Sequence, residues 1–188
     1  MEVIFATRNK GKFEEARRKL EEVGVKLLQY DGGYPEIQAD DLMEVALYGA
    51  RYLSRKLNKP FFLEDAGLFI KTLNGFPGIY SAYVFRKIGC KGILKMMEGM
   101  EDREAWFRSV IAFKEKGKRL RIFEGVCYGR ISYEERGKKG FGFDPIFIPE
   151  GSDRTFGEMD VREKNRYSHR GKSLDKLAEY LRRRIGKR

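Results

Sequence analysis

The chain has 188 residues, of which 41% are hydrophobic and 36% charged. That balance excludes a disordered tail and fits a single globular domain over residues 1–188 with a sizeable core. No stretch approaches the ~20 consecutive apolar residues that cross a bilayer, and residues 1–7 lack a basic leader and cleavage site, so a cytoplasmic protein with no membrane partner is expected. The cysteines, Cys90 and Cys127, lie far apart without CxxC spacing, which reads as two buried thiols and not a zinc site or a disulfide framework.

A formal charge of +11 raises the question of a polyanionic partner. Its distribution argues against stable nucleic-acid binding. Arg17, Arg18 and Lys19 alternate with Glu14, Glu15, Glu21 and Glu22 at helical spacing, the pattern of a solvated, ion-paired face. The excess lies mostly at the C-terminus, in Arg182, Arg183, Arg184, Lys187 and Arg188, where it complements a helix dipole. A cleft for a phosphate-rich small molecule explains the charge equally well.

In chain order, residues 3–6 read as a strand, and 7–12 as a polar turn containing Gly11. A helix follows with Phe13, Ala16, Leu20 and Val23 on one face. Residues 25–28 suggest a second strand before the turn Asp31-Gly32-Gly33. Leu42, Val45, Ala46, Gly49, Ala50, Leu53 and Leu57 then fall in the i, i+3, i+4, i+7 series of an amphipathic helix. Residues 61–63 read as a short buried strand, ending at the adjacent carboxylates Glu64 and Asp65. After a turn at Asn74-Gly75-Phe76-Pro77-Gly78, helices are expected over 80–88 and 92–97. Two long strands, 104–115 and 119–128, join at Lys116-Gly117-Lys118. A glycine-rich loop over 137–145, an apolar run at 146–148, a short helix near 161–165 and a last helix capped by Ser168 complete the chain. That last helix carries Leu174, Leu177, Leu181 and Ile185. Strands alternating with helices, interrupted by a hairpin, predict an α/β domain around a mixed sheet.

Four segments carry chemistry besides the carboxylate pair. Thr7-Arg8-Asn9-Lys10-Gly11-Lys12 joins a strand to a helix, a place where backbone N–H groups meet an anion, although the GxxxxGK[ST] spacing is missing. Glu36 precedes a strong helix; by default such an acid is solvated or eases the dipole. Gly140-Phe141-Gly142-Phe143-Asp144 puts aromatic faces beside an acceptor, either as core anchors or for base recognition. Lys164 and Ser168-His169-Arg170-Gly171-Lys172 cluster basic groups around the chain's single histidine, with no apolar core evident to hold it.

In this order the motifs resemble the inosine triphosphate pyrophosphatases, which hydrolyse non-standard purine nucleoside triphosphates. The resemblance rests on residues 6–12, Glu64-Asp65-Ala66-Gly67-Leu68, residues 73–82, residues 140–147, Glu163-Lys164-Asn165 and residues 168–172. It implies a long, bent mixed sheet flanked by helices, two lobes with a nucleotide cleft between them, and a homodimer. It also implies hydrolysis of ITP, dITP and XTP to the monophosphate and pyrophosphate with Mg²⁺. By the same resemblance Asp65 is the catalytic carboxylate, and Glu36 with Asp65 would hold the metal. Thr7, Arg8, Asn9, Lys10, Gly11 and Lys12 bind the triphosphate. Phe141, Gly142, Phe143 and Asp144 form the base loop, and Lys164, His169 and Arg170 make the remaining contacts. Ala66 stands where family members commonly have serine, which keeps a backbone contact and removes a hydroxyl. A phosphate-binding lysine that some members carry on the helix after Glu36 falls at Gly49, so no such contact is assigned. Two alternatives stand beside this reading: a basic nucleic-acid-binding module, and a pyrophosphatase for other modified nucleotides.

Overall fold

A computed structural model describes residues 1–35 and 37–186. Its strands are β1 (Glu2–Ala6), β2 (Lys26–Tyr30), β3 (Phe61–Ile70), β4 (Pro77–Gly78), β5 (Glu104–Lys114), β6 (Arg121–Ile131) and β7 (Phe147–Pro149). Its helices are α1 (Lys10–Glu21), α2 (Leu42–Leu53), α3 (Ser81–Met96), α4 (Val161–Tyr167) and α5 (His169–Ile185). The sheet runs β2-β1-β3-β5-β6-β7, with β4 beside β3. β1 lies parallel to β2 and β3, whereas β4 and β7 are antiparallel to β3 and β6. The expected mixed sheet of an α/β fold is therefore present.

The chain forms two compact units, the first comprising Met1–Asp65, Ser109–Gly125 and Gly171–Arg188, the second Ala66–Arg108 and Val126–Arg170. In the first, Val3, Phe5, Leu27, Phe62, Ile111 and Phe113 share a core with Ala16 and Leu20 of α1 and Leu174, Leu177 and Leu181 of α5. Phe5 and Phe62 stack with centroids 4.3 Å apart. Leu63, one residue on from Phe62, points to the opposite face of the pleat and meets α2 at Gly49. Helices thus cover both faces of the sheet within this unit.

In the second unit, Leu68 and Ile70 pack with Val84, Cys90, Ile93 and Met97 of α3 and with Phe107, Phe143, Phe147 and Phe156. The helices expected at 80–88 and 92–97 both lie within α3, divided where Gly89 takes the non-helical φ 61° and ψ −166°. Ser81 ties its start to the sheet: its hydroxyl accepts from Leu68 N at 2.7 Å and donates to Gly78 O at 2.6 Å. Cys90 and Cys127 are free buried thiols, and burial pushes the Cys90 thiol up to about 12.

Several boundaries differ from the sequence reading. α1 starts at Lys10, so the end of the polar turn is already helical, and α2 stops at Leu53, short of Leu57. The largest difference is β3, which continues to Ile70 and leaves Glu64 and Asp65 in mid-strand. Gly67 permits that continuation, because a Cβ there would collide with the carbonyl of Gly78 on β4. Gly67→Ala is expected to cost about 1–3 kcal/mol by overpacking, with Tm lowered by about 2–12 °C in a thermal melt. An unchanged Tm contradicts the close strand approach.

Candidate functional site

In the first unit the turn from β1 into α1 is built by its own side chains. Asn9 is the N-cap, its Oδ1 accepting from Lys12 N at 3.0 Å, while the Thr7 hydroxyl oxygen accepts from Asn9 N at 3.1 Å. The first intrahelical bond runs from Phe13 N to Asn9 O, so the N–H groups of Lys10 and Gly11 lie ahead of it at the positive end of the dipole. No acidic residue sits in this first turn, and Lys10 is exposed. Two basic residues on an already positive helix end are unfavourable alone and are relieved by an anion. Arg8 turns to the following loop, donating from Nε to Asp31 O at 2.9 Å.

Lys12 is held differently. Its ammonium lies 2.8 Å from Glu64 Oε2 and donates to Glu64 O at 3.0 Å. Glu64 is 4% exposed, and its other carboxylate oxygen accepts from the Ser109 hydroxyl at 2.8 Å. Ser109 in turn lies 2.9 Å from the Ser173 hydroxyl of α5. A buried carboxylate is tolerated in mid-strand because a cation and a hydroxyl satisfy it there.

Asp65, next along β3, is half-buried and projects to the other face. The Tyr34 hydroxyl contacts both of its oxygens, at 3.1 Å to Oδ2 and 3.3 Å to Oδ1. Adjacent carboxylates thus have unlike surroundings: Glu64 faces an ammonium, Asp65 a phenol. Ala66 beside them is half-buried. Glu36, the expected second metal ligand, lies outside the described residues. Among the described residues no three His, Cys, Asp or Glu side chains gather into a ready-made metal cage.

The second unit holds the glycine-rich loop. Asp144 is 3% exposed and accepts from Phe141 N at 2.8 Å and from Lys164 Nζ at 2.6 Å. It serves as the loop's internal anchor. Phe143 is a core ring, set edge-on to Phe85 at 5.3 Å. Phe141 is the half-buried aromatic of the pair, with Lys164 Nζ 4.7 Å and the Arg170 guanidinium 5.3 Å from its ring centre. Gly142 between the two rings takes φ 61°. His169 departs from expectation: an apolar core does hold it, since its ring stacks on Phe107 at 4.6 Å and is 2% exposed.

Sequence reasoning missed Tyr34, Ser109 and Ser173. In sequence Tyr34 is marked only by its neighbours Pro35 and Glu36, and no periodicity or motif marks the two serines. No helix among the described residues is long and apolar enough to cross a membrane.

A model of the Ham1 family matches residues 3–180. A dITP/XTP pyrophosphatase of Thermococcus kodakarensis is 55% identical over 181 residues, covering 96% of this chain and 97% of that protein. One of Methanopyrus kandleri is 52% identical over 188 residues, covering 100% of both. Among solved structures, the Staphylococcus aureus Ham1 protein superposes with a TM-score of 0.83 at 26% identity, over 100% of both chains. A HAM1 protein from Coxiella burnetii gives 0.82 at 33% identity, over 96% of this chain and 98% of that one. With the matched stretch reaching from β1 into α5, the chain belongs to the Ham1 family.

Proposed function

We propose that this chain hydrolyses the non-standard purine nucleoside triphosphates dITP, ITP and XTP to the monophosphate and pyrophosphate, clearing them from the cytoplasmic nucleotide pool as a homodimer. The observation that carries this reading is the full-length match to proteins named dITP/XTP pyrophosphatase. The unlike contacts of Glu64 and Asp65 support it, since the Lys12 ammonium holds the first while the Tyr34 hydroxyl meets the second, half-buried carboxylate.

Enzymes that cleave nucleoside triphosphates generally use a divalent metal, and we propose Mg²⁺. The donor set fits: Mg²⁺ is held by one or two carboxylates, completed by waters and substrate phosphates, and needs no all-protein cage. Asp65 would hold it, with Glu36 as the second ligand expected from the sequence. When bound, the metal polarises phosphate oxygens and offsets developing charge. Asp65 orients the attacking water and takes its proton. The water oxygen bonds to the α-phosphorus while the bond to the α–β bridging oxygen breaks, and pyrophosphate departs with that electron pair. Lys10, Lys12 and the first N–H groups of α1, with the hydroxyl of Thr7, bind the charged leaving group. Lys12 comes to this task already aimed by Glu64.

The second unit supplies base recognition. Hypoxanthine and xanthine present a C6 carbonyl, whereas adenine presents an amino donor. Arg170, buried against Phe141, pairs with the carbonyl and is left opposed by the amine. A site built around one hydrogen bond discriminates by up to about 10⁴–10⁵. Lys164, fixed by Asp144 over Phe141, joins this base-reading group, as does His169 in its stack on Phe107. Arg170→Ala is expected to shrink the ITP-over-ATP ratio of kcat/KM by at least about tenfold. A ratio equal to that of the parent removes Arg170 from base selection.

A further inference from the structure

We infer that Tyr34 is a positioning residue for Asp65, seated in a notch that Gly49 leaves open; this rests on the catalytic reading of Asp65 proposed above. Three observations within the first unit meet here. The Tyr34 hydroxyl reaches both oxygens of the Asp65 carboxylate, at 3.1 and 3.3 Å. Its ring passes so close to α2 that a Cβ at position 49 would lie 2.8 Å from both Cδ2 and Cε2 of that ring. The same Cβ would lie 2.8 Å from Leu63 Cδ2 on β3, so the notch is walled by the strand that carries Asp65.

The consequence is geometric. Glycine in a helix interior is a poor helix former and is kept where something needs the space. Here Gly49 is buried in α2, and the neighbour occupying its missing side chain is the Tyr34 ring. A phenol packed in a notch has its hydroxyl delivered to a fixed point. A donor contacting both carboxylate oxygens fixes the rotation of the Asp65 side chain. Supporting groups of this kind hold a reacting carboxylate or a metal ligand in its productive orientation, and their loss typically costs about 10–100-fold in metal affinity or activity.

The test compares Tyr34→Phe, which keeps the ring and deletes only the hydroxyl, with Gly49→Ala, which displaces the ring and keeps the hydroxyl. Steady-state kinetics on dITP are run well below the Tm of each protein, beside Mn²⁺ titration of the nucleotide-free proteins by calorimetry. Tyr34→Phe is expected to lower kcat by about 10–100-fold with KM within about threefold, and to weaken Mn²⁺ binding. Gly49→Ala is expected to give a similar kcat loss. The double variant should lose no more than Gly49→Ala alone, because both changes act through one hydrogen bond. Parental kcat in Tyr34→Phe, or additive losses in the double variant, overturns the inference. Asp65→Asn, measured in parallel, separates the two claims. If it is inactive while Tyr34→Phe is normal, only the positioning role fails; if it turns over normally, the reading of Asp65 itself is gone.

Discussion

Asp65→Asn is expected to lower kcat for dITP by about 10²–10⁴-fold while nucleotide binding persists. The substitution is nearly isosteric, and an asparagine carbonyl can still accept from the Tyr34 hydroxyl, so the local packing at β3 is retained. What disappears is the negative charge. Without it the position neither holds a divalent cation nor accepts a proton from water. In the proposed site phosphate and base contacts come from other residues, so KM should stay within a few fold, the signature of an interaction made only in the transition state. Binding is checked with a non-hydrolysable triphosphate analogue. A kcat within about threefold of the parent takes Asp65 out of the chemistry.

The second large effect is on stability. Asp144→Ala is expected to cost about 3–5 kcal/mol, because it leaves the Lys164 ammonium buried without its carboxylate and removes the acceptor of Phe141 N. For a chain of this length that corresponds to a Tm lower by about 6–20 °C. The side chains of Lys164 and Asp144 are only 2% and 4% exposed, so solvent cannot repair the loss. Asp144→Asn combined with Lys164→Met should be less destabilising than the sum of the single changes, since removing both charges avoids stranding either. An Asp144→Ala melt matching the parent shows the pair to be energetically idle.

Much of the fold was legible because its signals are local. Ala16 and Leu20 of α1, Leu42, Ala46, Ala50 and Leu53 of α2, and Leu174, Leu177 and Leu181 of α5 are all buried, as their spacing predicts. The hairpin turned where Gly117 takes φ 71°. The continuation of β3 was not legible, because two carboxylates break its apolar run. The partners that make Glu64 tolerable are distant in sequence, Lys12 by 52 positions and Ser109 by 45. Local hydrophobicity cannot register a counter-ion that arrives from another element.

The site divides along the same line. Residue types that announce themselves, such as a basic strand-to-helix turn or a Gly-Phe-Gly-Phe loop, were found by reading. Their division of labour was not. Phe141 and Phe143 look equivalent in sequence, yet one ring is buried in the core and the other is half-buried under Lys164 and Arg170. Asp144, expected to meet a base, also braces its own loop by accepting from Phe141 N and Lys164 Nζ, which the sequence does not reveal. Tyr34, 31 positions from Asp65, has no local signature at all.

The most direct test of the central claim is pyrophosphate release from a panel of dITP, ITP, XTP, ATP and GTP, with Mg²⁺ and after chelation by EDTA. Metal-dependent release of pyrophosphate and monophosphate is expected from dITP, ITP and XTP, with ATP and GTP slower by orders of magnitude. Equal release from ATP and GTP contradicts the substrate assignment. No release from any nucleotide, together with tight, salt-sensitive binding of polynucleotide, contradicts the enzymatic reading altogether.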